Sequence, residues 1–289
     1  EIKRRFNGME IPYTDALKLF RDQILKCKVI YVTVKNFDDA YTIFEVLNAK
    51  GKDLTPVDII KNTLFSVVDQ TEPIDEAYEK WKCIREQISR GKNDEMMTFY
   101  RHFWLSRYGY TTNKKLVSEF NQEIKNTVAE YEAFLRELEV ASRDYAKIVV
   151  PSETDWPQPE EKEIFNTLES LNIFGVTQVR IILLALFDAK RRGVLKHKVL
   201  LSILEYLQYF HFVFNAICSE RPSNLERKYA AYGKKLYNSK SSEESATYIN
   251  ELKDWLNTLL PDYALFEQEF KKLYFTGNRT KDKKVIQYI

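Results

Sequence analysis

The sequence predicts a mainly α protein, a multi-helix bundle interrupted by one isolated β-strand at about 28–35. Two observations predict the helices and one the strand. Apolar residues recur at spacings of three and four along most of the chain, which is the helical period. Only 8 Gly and 8 Pro punctuate 289 residues, while 44% are hydrophobic and 18 Tyr and 18 Phe are available to fill cores. That balance excludes a disordered or low-complexity chain. The strand is "KVIYVTVK", residues 28–35, which is β-branched and aromatic and free of Pro and Gly.

Taken in order, helices are expected at about 14–26, 38–50, 56–69, 74–90, 94–107, 113–125 and 128–149. "VVPSETDWPQPEE" then forms a loop, because its prolines cannot continue a helix. Further helices are expected at about 160–171, 175–192, 196–218, 223–238, 242–259, 262–275 and 281–289. Ser241 with Glu244 fits a capping box and fixes the start at 242. No fixed-period repeat is present, which argues against a solenoid. The strand has no partner downstream, and one strand is not stable alone in water. Its sheet is therefore expected from upstream. The chain starts at Glu1 and stops within the apolar-periodic "DKKVIQYI" without a capping signal. The expectation is an internal piece of a longer protein, divided at about 1–70, 71–150 and 151–289.

Cys27, Cys83 and Cys218 are odd in number, far apart and without metal-type spacing, so neither a disulfide framework nor a zinc site is expected. No apolar run approaches the ~20 residues of a membrane span and no signal peptide opens the chain, which makes a cytoplasmic location the expectation. Charge is unevenly placed. Residues 119–170 hold 5 basic and 13 acidic residues, net −8, whereas 190–240 hold 11 basic and 3 acidic, net +8. Either oppositely charged helices pack side by side, or the basic segment faces nucleic acid.

"FEVLNAKGKDLTPVDIIKN", residues 44–62, is the densest local pattern. Gly51 is the residue expected just past a helix end. Thr55 caps the next helix, Pro56 takes its first position, and Asp58 stands where a capping-box acid would. Leu54 and Ile59 are spaced as a hydrophobic staple. Asn48, Asp58, Lys61 and Asn62 are not needed for that turn on this reading. Asp58 and Lys61, three apart, could equally form an ordinary surface ion pair.

With its flanks, "AYTIFEVLNAKGKDLTPVDIIKN" resembles the hallmark segment of the GmrSD-type family of modification-dependent restriction and phage-defence proteins, through Phe44, Leu47, Asn48, Gly51, Leu54, Asp58, Lys61 and Asn62. "FYRHFWLSRYGY", residues 99–110, and the ending "RTKDKKVIQYI" are similar to segments of the same family. The resemblance implies a ParB-like N-terminal domain with an Asp-Gly-Gln-Gln-Arg motif, a helical middle, and often a His-Asn-His nuclease domain. This sequence contains no Asp-Gly-Gln-Gln-Arg. It therefore looks like the end of the first domain, whose sheet the strand would complete, plus the helical middle. The resemblance implies that Asn48, Gly51, Asp58, Lys61 and Asn62 line or buttress a nucleotide site, and that a nucleotide and a divalent metal serve the intact protein. No cofactor is expected in this piece alone.

Chemistry of other kinds finds no support. No phosphate loop, HExxH pair or nucleophile elbow occurs. His102, His197 and His211 are isolated, and His102 and His211 sit in aromatic stretches as core histidines do. No catalytic or metal-binding residue is expected. The candidates for DNA-backbone contact are Lys190, Arg191, Arg192, Lys196, Lys198, Arg227, Lys228, Lys234 and Lys235. Tyr229, Tyr232 and Tyr237 interleave with the later ones and either stack on bases or bury in the core. Two functions remain open: a helical region coupling a nucleotide-hydrolysing domain to a DNA-cleaving domain, and a non-enzymatic scaffold that binds a partner protein. DNA and nucleotide are the expected partners, self-association is left open, and no membrane is expected.

Overall fold

The computed structural model describes residues 13–28, 33, 55–68, 76–89, 96–220, 224–274, 285, 286, 288 and 289. Two compact units are distinguished, Glu1–Leu54 and Thr55–Ile289. In the first, α1 is Tyr13–Leu25. The helix expected at 38–50 lies outside the described residues. So does nearly all of the strand expected at 28–35: Lys28 and Thr33, its described positions, carry no strand pairing, and the described residues contain no strand.

The second unit holds α2 (Pro56–Val68), α3 (Glu76–Ile88), α4 (Met96–Arg107), α5 (Leu116–Glu123), α6 (Val128–Val149), α7 (Lys162–Ile173), α8 (Val179–Arg191), α9 (His197–His211), α10 (Leu225–Asn238), α11 (Ser242–Asn257) and α12 (Tyr263–Phe270). Its centre is α8. Every side chain from Ile181 to Ala189 is buried, so this helix is apolar nearly all round and packs against α4, α6 and α10. α3 and α2 cover α6, α11 closes over α9 and α10, and α7 lies along α9. One continuous core takes side chains from Val57 to Leu256, so it runs through both flanks of the 150–161 loop.

The aromatic stretch at 99–110 explains much of that core. Phe99, Tyr100, Phe103 and Trp104 of α4 are at most 1% exposed. Phe134 of α6 meets Phe103 edge-on at 5.5 Å and Phe120 of α5 at 5.2 Å, the geometry that ring quadrupoles favour. Helix starts follow their caps. Thr127 Oγ1 accepts from the Glu130 amide, and Ser241 Oγ from the Glu244 amide, setting the starts at 128 and 242. Gly175, expected to open the next helix, instead closes the end of α7. Its φ of +71° is the left-handed conformation that glycine adopts without strain, and the Val176 amide closes the turn on the Leu171 carbonyl. α8 consequently begins at Val179, later than the apolar period suggested.

Candidate functional site

The head of α2 is built as the sequence suggested, with one difference that bears on function. Thr55 Oγ1 accepts from the Asp58 amide at 3.3 Å, and Asp58 Oδ2 accepts from the Thr55 amide at 2.9 Å and the Thr55 hydroxyl at 2.8 Å. This is a complete capping box with aspartate in the acid's place. Asp58 is therefore committed to the turn, contrary to the reading that left it free. Lys61 sets its ammonium 5.2 Å from the Phe65 ring, and Asn62 faces outward. Val57, Ile60 and Leu64 bury the opposite face. Asp58, Lys61 and Asn62 are the described members of the set expected to line or buttress a nucleotide site; Asn48 and Gly51 lie outside the described residues.

The nine basic candidates divide sharply. Asp188 of α8, its side chain 10% exposed, accepts from Arg192 at 2.7 Å, Arg191 at 3.0 Å and Arg107 at 3.4 Å. Arg107 is 2% exposed, stacks 4.3 Å from the Phe103 ring, and also faces Glu137 at 3.4 Å. Arg191 reaches on to Asp144 of α6 at 2.6 Å, and Arg192 donates to the Leu236 and Ser239 carbonyls at the end of α10. The two arginines thus join α6, α8 and α10. Asp144 belongs to the acidic segment and Arg191 to the basic one, so at this pair the two stretches neutralise each other by packing.

A second group is held against rings and carboxylates. Arg227 lies 4.3 Å from the Tyr110 ring and Lys228 5.2 Å from Trp255. Lys235 pairs with Glu251 at 2.6 Å and sits over Tyr232 and Tyr248. Lys228 with Trp255 and Lys235 with Tyr248 are rungs of one antiparallel helix hairpin, two turns apart. Tyr229 is fully buried and Tyr237 donates to Glu137, so neither presents a stacking face. Four candidates remain. Lys190, Lys196, Lys198 and Lys234 are exposed and form no ion pair among the described residues. The first three gather at the α8–α9 turn, where Lys190 lines a cleft of about 190 Å³ with Lys147, Trp156 and His197.

Two histidines are core groups. His102 Nδ1 shares a 3.0 Å hydrogen bond with the Tyr145 hydroxyl, and burial lowers its pKa to about 3. His211 is bonded through both ring nitrogens, to Asn215 and to Tyr229, and burial lowers its pKa to about 4. No cluster of three or more metal-ligating side chains occurs among the described residues. No helix among them is long and apolar enough to cross a membrane. What sequence reasoning missed is Asp188, whose role follows from three-dimensional convergence alone, and a π-helical turn at Phe212–Ile217 that apolar periodicity does not reveal.

Fold and site together define a mainly helical protein with a capped polar signature at the head of α2 and a group of exposed lysines at the α8–α9 turn. Residues 5–65 match the family model for the N-terminal domain of the GmrSD restriction endonuclease. The matched segment ends within α2. No curated protein matches the chain.

Proposed function

We propose that this chain is the central helical region of a DNA-modification-dependent restriction nuclease of phage defence, and that it couples a nucleotide-hydrolysing domain to a DNA-cleaving one. The match over residues 5–65 carries the reading. The head of α2 supports it: local folding uses Asp58, Pro56 and Thr55, but makes no demand on the outward Asn62. Lys61 and Asn62 then buttress a nucleotide site, and the chain by itself turns nothing over. DNA contact falls to Lys190, Lys196, Lys198 and Lys234, through backbone phosphates and without base readout.

Calorimetric titration of the chain with ATP and GTP, alongside a phosphate-release assay, tests the nucleotide half. Binding weakened by Asn62→Ala, with no turnover, is the expected result. Hydrolysis by the isolated chain that Asn62→Ala abolishes would show that this region is itself the catalyst and overturn the coupling role.

A further inference from the structure

The helix that starts at His197 should continue to about 218 by its apolar period, yet its register changes at Phe212. From Phe212 to Ile217 the turn widens to π, and the Cys218 amide donates to the Val213 carbonyl, five residues back, at 3.0 Å. An α turn would send that amide to Phe214, but the Phe214 carbonyl already accepts from the Glu220 amide at 2.9 Å. Asn215 Nδ2 holds the same reversal by donating to the Glu220 carbonyl at 2.9 Å. Ser219 between them has φ +59°, a left-handed conformation that a residue with a side chain occupies under strain.

The far end of the chain grips this turn at both ends. Tyr288 sets its ring 5.4 Å from Phe212, the first π residue, and meets Phe174 edge-on at 4.8 Å. Its hydroxyl accepts from Gln208 Nε2 at 2.7 Å, one helical turn upstream. Val285, 2% exposed, packs with Ala216 and Ile217, the last π residues, in a small core separate from the main one. Phe266 of α12 adds a third ring to Phe212 at 6.5 Å.

We propose that Phe212–Ile217 is a two-register switch held in its π form by the C-terminal segment Val285–Tyr288. A segment that contacts one register selectively shifts the equilibrium toward it. When the segment leaves, the Cys218 amide takes the Phe214 carbonyl and the turn closes to α. Closing removes one residue from the turn, which rotates the chain beyond it by about 100° and moves it about 1.5 Å along the axis. The chain beyond Cys218 leads towards α10, the helix that carries Arg227, Lys228 and Lys234. The switch stands whether or not the restriction reading does.

The test uses the full chain with Cys27→Ser and Cys83→Ser, so that Cys218 is its one thiol. Hydrogen exchange and Cys218 alkylation are compared among the parent, Tyr288→Phe, Tyr288→Ala and a deletion of residues 285–289. Loss of the ring contacts and hydrogen bond is expected to speed exchange of the Glu220 amide, displaced from the Phe214 carbonyl, by about tenfold or more, while the Cys218 amide stays protected. Alkylation rises with it, exchange in α8 stays unchanged, and Tyr288→Phe falls between. Unchanged exchange of the Glu220 amide would overturn the proposal, as would equal acceleration in α8, which reports general loosening. A crystal structure of Tyr288→Ala should place the Cys218 amide on Phe214; one that keeps it on Val213 also overturns the switch.

Discussion

Replacing Asp188 by Asn removes the charge on which three guanidinium groups converge while keeping the side chain's shape. Arg107 is then left 2% exposed without its closest carboxylate on α8. Removing one partner of a buried ion pair typically costs about 3–5 kcal/mol. Here four residual contacts soften the loss: Arg107 retains Glu137 at 3.4 Å, Arg191 retains Asp144, and Arg192 retains two carbonyls. Arg191 and Arg192 are also 39% and 31% exposed, so water screens their share. The expected loss is therefore about 3 kcal/mol, the low edge of that range. Urea unfolding followed by circular dichroism measures it, with Lys190→Gln as a surface control that should change stability by less than about 0.5 kcal/mol. A loss for Asp188→Asn below about 1 kcal/mol would refute the view that this knot ties α4, α6, α8 and α10 together. The same result decides how to interpret DNA binding by Arg191 or Arg192 variants, whose primary effect should be on folding.

Other consequences are equally open to measurement. Thr55→Ala and Asp58→Ala should each cost about 1 kcal/mol, and the double variant little more than either, because both break one capping box; additive losses in urea would show separate roles. Gly233 lies in α10 with Ser106 of α4 directly opposite, so an added Cβ would meet the Ser106 carbonyl oxygen at 3.0 Å. Gly233→Ala should destabilise by about 1–3 kcal/mol despite its better helix propensity, and a rise in melting temperature would contradict that close packing. Both core histidines stay neutral in the folded protein, with pKa values of about 3 and about 4, whereas in the unfolded chain they take up protons near the usual 6.5. The unfolded state therefore binds more protons, and stability should fall as pH drops from about 6.5, by up to about 1.4 kcal/mol per unit per histidine. Unfolding between pH 7 and 5 should show this slope, roughly halved in His102→Gln; an equal slope in that variant would locate the dependence elsewhere.

The features legible in the sequence were those encoded within a few residues. Ser241 and Glu244, and Thr55 and Asp58, mark helix starts because a cap needs only neighbours three apart. The two core histidines were legible for a similar reason, since their aromatic surroundings in the chain are also their surroundings in the fold. Gly175 was misread because a glycine between apolar runs can end one helix or interrupt another, and the backbone angle decides. The basic segment shows the wider limit. Counting charges could not separate Arg191 and Arg192, drawn inward by an aspartate of their own helix and by Asp144 on another, from Lys190, Lys196 and Lys198 a few residues away. The nearness of Gly233 to Ser106 and the grip of Tyr288 on Phe212 join residues far apart in the chain, and no local pattern announces them.

The proposed DNA contact rests on the exposed lysines Lys190, Lys196, Lys198 and Lys234. Duplex DNA affinity of the chain, measured by fluorescence anisotropy across a range of salt, tests it most directly. Wild type should bind at low salt with a steep negative slope of log affinity against log salt. Substituting Lys190, Lys196, Lys198 and Lys234 together by Gln should flatten that slope by about 3.6, at roughly 0.9 per lost phosphate contact, with melting temperature unchanged. No binding at low salt, or a slope the four substitutions leave intact, would contradict it.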